Sequence, residues 1–341
     1  MRPSLHPCLV NGRFGDPAVY VEMMFQRGAL LFDMGDLGAL ATRDLLRVTH
    51  VFVSHVHMDH FIGFDRLLRV LVGREKILRL FGPPGFCTRV HHRLQAYEWD
   101  LVDRYATDLV FDVTEIDLDV RRRARFRFKR RFAWEEPAVL AGEGPIAEEP
   151  GFVASAALLD HHGPCIGYAV AEPVHANVWK VRLEELGLAT GQWLQALKRA
   201  VVGDAPDDVA IDTPRGPMPL GELRDLVTLS RGQKIAYVTD VADTPINRSA
   251  IASLAARADI LFIEASFAAA DAGLAAERGH LTTTAAGRIG RAARVRRLEP
   301  FHFSPRYEGE ADRMIAEVQC AFGGAGACGE PAAMAGRAGI A

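Results

Sequence analysis

One short segment constrains this chain more than any other. The apolar run Val51-Phe52-Val53 leads directly into Ser54-His55-Val56-His57-Met58-Asp59-His60. Imidazoles and carboxylates are good ligands for zinc and similar divalent ions. In an extended segment His55 and His57 project to the same side. The turn that follows can swing Asp59 and His60 toward a second ion. Three histidines and an aspartate within six positions are not what a chance polar strand end carries. Two ions ~3.5–4 Å apart suit phosphodiester hydrolysis, one polarising the phosphoryl group while a shared hydroxide attacks.

Around this segment, short apolar runs alternate with longer amphipathic stretches. Strands are expected at Ala18–Met24, Ala29–Asp33, His50–Ser54, Lys234–Thr239, Ile260–Glu264 and Arg297–Phe301, among others, and helices at Ile62–Val72, Phe86–Tyr105 and Thr282–Ala293. Such alternation predicts α/β layers rather than a β-sandwich or a helix bundle. Three segments break the rhythm. Glu135–Pro150, rich in Pro, Gly and Glu, reads as a surface loop. Glu172–Arg231 reads as an insertion, and the Ala/Gly-rich Gly323–Ala341 as a mobile tail. None has the character of a linker between domains. The expectation is a single domain over 1–322, an arm inserted at 172–231, and a tail over 323–341.

Composition narrows the partners and the compartment. With 49% hydrophobic residues the chain can bury a large core, which excludes disorder for its bulk. A net charge of -3 gives no global pull toward nucleic acid, so RNA binding must come from a local patch. The basic run Arg121–Arg131 offers one: Arg125, Arg127 and Lys129 would line one strand face and Phe126 and Phe128 the other. That face could grip phosphates or stay solvated, balanced by Glu135 and Glu136. Cys8, Cys87, Cys165, Cys320 and Cys328 are odd in number and form no CxxC pair, which fits reduced thiols better than a disulfide framework. No apolar run approaches the ~18 residues of a membrane span. The opening segment has no long apolar core, so no secretory signal is expected and the cytoplasm is the expected compartment.

The His-x-His-x-Asp-His pattern, placed between an apolar strand and a helix, resembles the metallo-β-lactamase superfamily. That resemblance implies a four-layer αββα fold and further ligands at later strand ends. Asp160-His161-His162-Gly163-Pro164-Cys165-Ile166-Gly167-Tyr168 supplies one, and its His-to-Gly-Tyr spacing resembles the ribonuclease Z family and selects His161 over His162. Asp240 closes Ile235-Ala236-Tyr237-Val238-Thr239, and His302 opens His302-Phe303-Ser304-Pro305-Arg306-Tyr307. The resemblance implies one ion on His55, His57 and His161, a second on Asp59, His60 and His302, and Asp240 shared with a water or hydroxide between them. Two zinc ions are favoured because histidines dominate, with iron and manganese as alternatives.

Two later segments point to the ribonuclease Z family within that superfamily. Phe262-Ile263-Glu264-Ala265-Ser266 resembles its His-Glu-Ala-Thr segment, with Ile263 and Ser266 as departures, and Gly279-His280-Leu281-Thr282 resembles its Gly-His-Ser-Thr. The implied chemistry is proton delivery to the leaving 3′-oxygen by His280, held protonated by Glu264. A further departure lies at Val10–Gly15, where the family usually carries Leu-Gly-Thr after its first strand. The 172–231 insertion occupies the place of the family's RNA-binding arm. Its tip is altered to Ala189-Thr190-Gly191-Gln192, and it carries Asp204, Asp207, Asp208 and Asp212. Clamping tRNA and forming a surface or dimer contact are both open to it. The resemblance implies a metal-dependent endonuclease cutting tRNA precursors on the 3′ side, as a homodimer. The alternative is a phosphodiesterase on small or cyclic esters using the same site. A scaffold or RNA-binding protein without catalysis is disfavoured by the complete ligand set.

Overall fold

Leu31-Phe32 and Val51-Phe52 show why the chain folds in layers. The computed structural model describes residues 4–24 and 26–324. In strands Ala29–Phe32 and Val48–Phe52, Leu31 and Val51 join one apolar cluster together with helix residues Phe64, Leu67, Phe86 and Val90. Phe32 and Phe52 point the other way, because side chains alternate along a strand. They stack on each other (ring centroids 5.2 Å apart), Phe32 stacks on Tyr237 (5.3 Å) and Phe52 tilts against Tyr168 (5.3 Å). The sheet is thus buried on both faces, which is why its strands read as continuous apolar runs.

Eight strands form this sheet in chain order, from Leu5–Leu9 to Ala138–Ala141. The middle of it, from Ala29–Phe32 through Leu109–Ile116, is parallel. The second sheet starts from one edge with Arg297–Phe301, Ile260–Glu264, Lys234–Val238 and Pro164–Ala171, the first three parallel. Its outer face carries helices Pro245–Leu254, Thr283–Ala292 and Ala311–Gly323, whose Ile251, Ile289 and Met314 share a cluster with Val238, Leu261 and Ile263. The order of layers is helix, sheet, sheet, helix, as expected. Hydrogen bonds stitch the inner faces: Tyr168 donates to the Val53 carbonyl (2.7 Å) and Tyr237 to Asp33 Oδ2 (2.7 Å).

The chain divides into two compact units, one of residues 148–153 and 171–233 and the other of the rest. The smaller unit has its own apolar cluster, including Leu183, Leu197, Ile211 and Leu223. Strand His175–Val178 pairs antiparallel with Val227–Ser230, and Ala210–Thr213 with Gly216–Pro219 around a turn whose Gly216 has φ +107°. Arg224 pairs with Asp207 and lies 3.6 Å from Asp204, so part of the unit's acidity is answered within it.

Several local expectations are corrected. Leu5–Leu9 forms a strand that the sequence did not announce, and the Glu135–Pro150 loop contains strands Ala138–Ala141 and Ala147–Glu149. The helix expected over Phe86–Tyr105 ends at Leu94, whose carbonyl accepts the Trp99 indole N–H (2.8 Å). Strand Val120–Arg127 stops before Phe128–Arg130, a 3-10 turn, because Arg131 and Phe132 take left-handed φ of 54° and 51°. Cys8, Cys87 and Cys165 are free, and Cys328 lies outside the described residues. Apart from residues 323 and 324, the tail expected over 323–341 lies outside the described residues. No helix among the described residues is long and apolar enough to cross a membrane.

Candidate metal centre

Each candidate ligand sits where a strand has ended and the backbone turns. His55 and His57 lie between strand Val48–Phe52 and helix Met58–Phe61, which carries Asp59 and His60. His161 follows strand Phe152–Asp160. Asp240 lies two residues beyond Lys234–Val238, and His302 directly after Arg297–Phe301. Asp240 (φ 47°) and His302 (φ 57°) are left-handed, a conformation that costs energy in residues other than glycine. In return, both side chains enter one space.

Asp240 is the centre of that space. Its Oδ2 lies 3.3 Å from Nε2 of His60, 3.5 Å from Nε2 of His55 and 3.6 Å from Nε2 of His161. Its Oδ1 lies 2.9 Å from Nδ1 of His302. Asp59 Oδ2 lies 3.4 Å from His60 Nε2 and 3.5 Å from His302 Nε2. His55, His57, His161 and Asp240 each bring one donor atom within 4.8 Å of the others, and so do Asp59, His60 and His302, and also Asp240, Glu264, His280 and His302. His162 is exposed and belongs to none of these groups.

These residues fit divalent cations. Donors ~2.1 Å from a tetrahedral ion stand about 3.3–3.4 Å apart, close to the separations around Asp240 Oδ2. The Nε2 atoms of His55 and His60 are buried without a hydrogen-bond partner. Orphaned nitrogens cost stability unless a cation takes their lone pairs. The opposite ring nitrogens are held: His60 Nδ1 by Asp33 Oδ2 (2.9 Å), His161 Nδ1 by the Gly279 carbonyl (2.8 Å) and His55 Nδ1 by Ser54 Oγ (3.1 Å). Such contacts orient the rings and fix the tautomer that presents Nε2. Gly279 can serve only as glycine: φ is +67°, and a Cβ would come within 2.9 Å of His162 Nε2.

Asp33 is the functional residue that reading the sequence missed. It is fully buried, left-handed (φ 53°), and accepts from Ser54 N (2.6 Å), Ser54 Oγ (2.7 Å) and Tyr237 OH (2.7 Å) besides His60. The available signal was a carboxylate closing the apolar run Leu30-Leu31-Phe32, the same signal that marks Asp240.

The charges divide the imidazoles into two kinds. Burial, reinforced by the neighbouring His60, pushes His55 down to about 2, and burial also lowers His57. Both rings therefore offer free lone pairs. Burial works against charge at Asp59, Asp240, His60 and His302 as well, but attraction within the cluster wins. The two carboxylates are held ionised, His60 is raised, and His302 rises to about 10. The buried carboxylates thus demand positive charge, which a proton or a metal cation can supply.

Beside the cluster, His280 Nδ1 lies 3.0 Å from Glu264 Oε2. Glu264 is fully buried and also accepts from Val241 N (2.7 Å) and Ser266 Oγ (2.6 Å). Burial opposes protonation of His280, but the Glu264 carboxylate outweighs it and the pKa is raised. Ser266 thus keeps the hydroxyl contact to Glu264, and Ile263 lies in the apolar cluster beneath the sheet, away from the pair. A cleft of about 270 Å³, lined by Phe14, Phe267, Arg278, Asp59, His280 and His302 among others, opens next to them. The basic run is largely satisfied from within. Arg123 and Arg125 face Asp112, Arg127 pairs with Asp108 (3.0 Å), Arg130 with Glu135 (2.5 Å), and Arg121 donates to backbone carbonyls.

Known proteins place this arrangement in a lineage. No family model matches the chain. Ribonuclease Z of Deinococcus radiodurans is 34% identical over 317 residues, covering 90% of this chain and 92% of that one. Among solved structures, the metallo-β-lactamase-fold protein YhfI of Bacillus subtilis superposes with a TM-score of 0.54 at 16% identity, over 93% of this chain and 92% of that one. The short form of human tRNase Z superposes with a TM-score of 0.51 at 18% identity, over 89% and 92%. The structural likenesses carry the fold alone, which is that of the metallo-β-lactamases. With a relative so similar along nine-tenths of its length, the chain belongs to the ribonuclease Z family.

Proposed function

We propose that this protein is a two-metal hydrolase that cuts tRNA precursors on the 3′ side. The observation that carries the reading is Asp240, whose carboxylate lies between two groups of donors within a single cluster. His55, His57 and His161 are assigned to one ion, Asp59, His60 and His302 to the other, and Asp240 to both. Zinc is preferred because imidazole dominates the donor set. Bound there, such ions supply Lewis-acid polarisation of the phosphoryl oxygen and water of lowered pKa.

The chain's own residues do the rest. Asp33, Ser54 and the Gly279 carbonyl hold the imidazoles in register. Asp59, with its side chain 44% exposed, is the carboxylate ligand open to solvent, beside the exposed His57, and orients the attacking water. Glu264 favours the protonated form of His280, and His280 hands its proton to the leaving 3′-oxygen. Cleavage then leaves a 3′-hydroxyl on the tRNA and a 5′-phosphate on the trailer.

The 171–233 unit is assigned to RNA contact, and a cytoplasmic homodimer is the assembly we expect. The test compares a tRNA precursor with bis(p-nitrophenyl) phosphate, in the wild type and after deletion of 177–217. Cleavage of both, with the deletion weakening only the RNA reaction, fits the proposal. Hydrolysis of the small ester alone would instead favour the alternative, a phosphodiesterase on small or cyclic esters.

A further inference from the structure

The cleft beside His280 contains a cation that the chemistry above does not use. Arg278 lines it, is exposed, and forms no ion pair with any described residue. This contrasts with the arginines of strand Val120–Arg127, most of which are answered by carboxylates. Arg278 precedes Gly279, whose carbonyl holds His161, and stands two residues from His280. Its backbone is thereby tied to the centre. Aromatic surface lies in the same cleft: Phe14 is half-buried and meets Phe303 edge-on (5.4 Å, 74°), and Phe267 lies 5.9 Å from the His280 ring.

An aromatic wall with an unanswered guanidinium is a combination that binds nucleotides, the ring taking a base and the guanidinium a phosphate. The position in the site says which nucleotide. The cleft is on the His280 and His302 side of the cluster, where the proposed acid meets the leaving oxygen. We propose that this cleft seats the nucleotide whose 3′-oxygen leaves, with its base against Phe14 and its 5′-phosphate on Arg278. Asp16, also in the lining, is a carboxylate outside the ligand set and is suited to accept from a ribose hydroxyl. The proposal rests on the phosphodiesterase reading and deepens it, since it names the part of the substrate that confers recognition beyond the scissile phosphate.

The product of that step is a nucleotide with a free 3′-hydroxyl and a 5′-phosphate, so adenosine 5′-monophosphate is the probe. It is measured as a competitive inhibitor of bis(p-nitrophenyl) phosphate hydrolysis by the metal-loaded protein, beside adenosine and inorganic phosphate, with KM determined afresh for each variant. The wild type should bind the monophosphate more tightly than adenosine. Arg278→Ala should raise the Ki of the monophosphate about 10-fold, as expected for a lost charged hydrogen bond, and leave those of adenosine and phosphate within about two-fold. Arg278→Lys should fall between, and Arg288→Ala should match the wild type. Phe14→Leu should weaken the monophosphate and adenosine alike, by roughly five-fold or more for lost base stacking. Calorimetric titration of the monophosphate makes the same comparison without turnover. A protein inert toward every ester would defeat the phosphodiesterase reading. An active protein in which the monophosphate binds no better than adenosine, or in which Arg278→Ala raises all three constants alike, would defeat the subsite alone.

Discussion

The histidine cluster and the arginine strand are both dense in polar groups, yet they end in opposite states. Along Val120–Arg127 most guanidiniums face Asp108, Asp112 or Asp117, Arg121 donates to backbone carbonyls, and one buried nitrogen, Arg121 Nε, is left without a partner. Around Asp240, the buried Nε2 atoms of His55 and His60 lie 3.5 and 3.3 Å from its carboxylate without making a hydrogen bond. A folded chain normally satisfies its buried polar atoms. Where it leaves two imidazole nitrogens unsatisfied beside one carboxylate, unlike the single guanidinium nitrogen of the arginine strand, that space is built for something the chain does not contain. Richness in charge is therefore a weaker guide to function than unsatisfied, converging donors.

The contrast breaks first at Asp240. Asp240→Ala should lose most of the bound metal and bring hydrolysis to background, because the carboxylate shared by both groups is gone. A variant that kept its metal and its rate would make the cluster a structural polar knot. His280→Ala should instead retain metal while slowing RNA cleavage ~10²–10⁴-fold, the range for a lost general acid. The loss should shrink for a nitrophenyl ester, whose leaving group needs no proton. Glu264→Gln should be milder and carry a pH signature. The carboxylate raises the His280 pKa, so removing its charge lowers that pKa and moves the basic limb of the rate profile to lower pH. An emptied metal site in His280→Ala would make His280 a ligand instead.

Asp33→Asn sharpens the comparison at one remove from the metal. Asp33 belongs to neither donor group, but it holds His60 Nδ1, so metal affinity should drop ~10–100-fold. Unchanged affinity would mean that the packing of His60 alone fixes its ring. The smallest effect belongs to the arginine strand. Arg125 is half-exposed and shares Asp112 with Arg123, so Arg125→Ala should cost under about 1 kcal/mol in stability and change RNA cleavage by less than about two-fold. A marked loss, with a shallower salt dependence, would show that this face grips phosphates after all.

How much of this was readable from the sequence follows from how local each signal is. His55 to His60 are contiguous and follow an apolar strand, so their convergence needs only strand and turn geometry. Asp240 and His302 are isolated in sequence and gain meaning from their order after successive strands. Asp33 was hidden because its partner His60 lies 27 positions away, and only the folded sheet shows the hydrogen bond. Strand Ala138–Ala141 was hidden because all four residues are exposed and give no alternation. The helix after Phe86 ends at Leu94, whose carbonyl accepts from the Trp99 indole, a contact that periodicity cannot report. The arginine pairs were invisible for the same reason: Asp108 and Asp112 meet their partners only through the pairing of strands Leu109–Ile116 and Val120–Arg127.

The central claim is that the unsatisfied donors around Asp240 hold two ions. Elemental analysis of the purified, fully active chain tests it directly, because seven protein donors are more than one tetrahedral ion can use. The predicted result is about two zinc-like ions per chain, with activity falling as they are withdrawn by a chelator and returning when they are restored. One tightly held ion accompanied by full hydrolysis, or full hydrolysis with none, would contradict it.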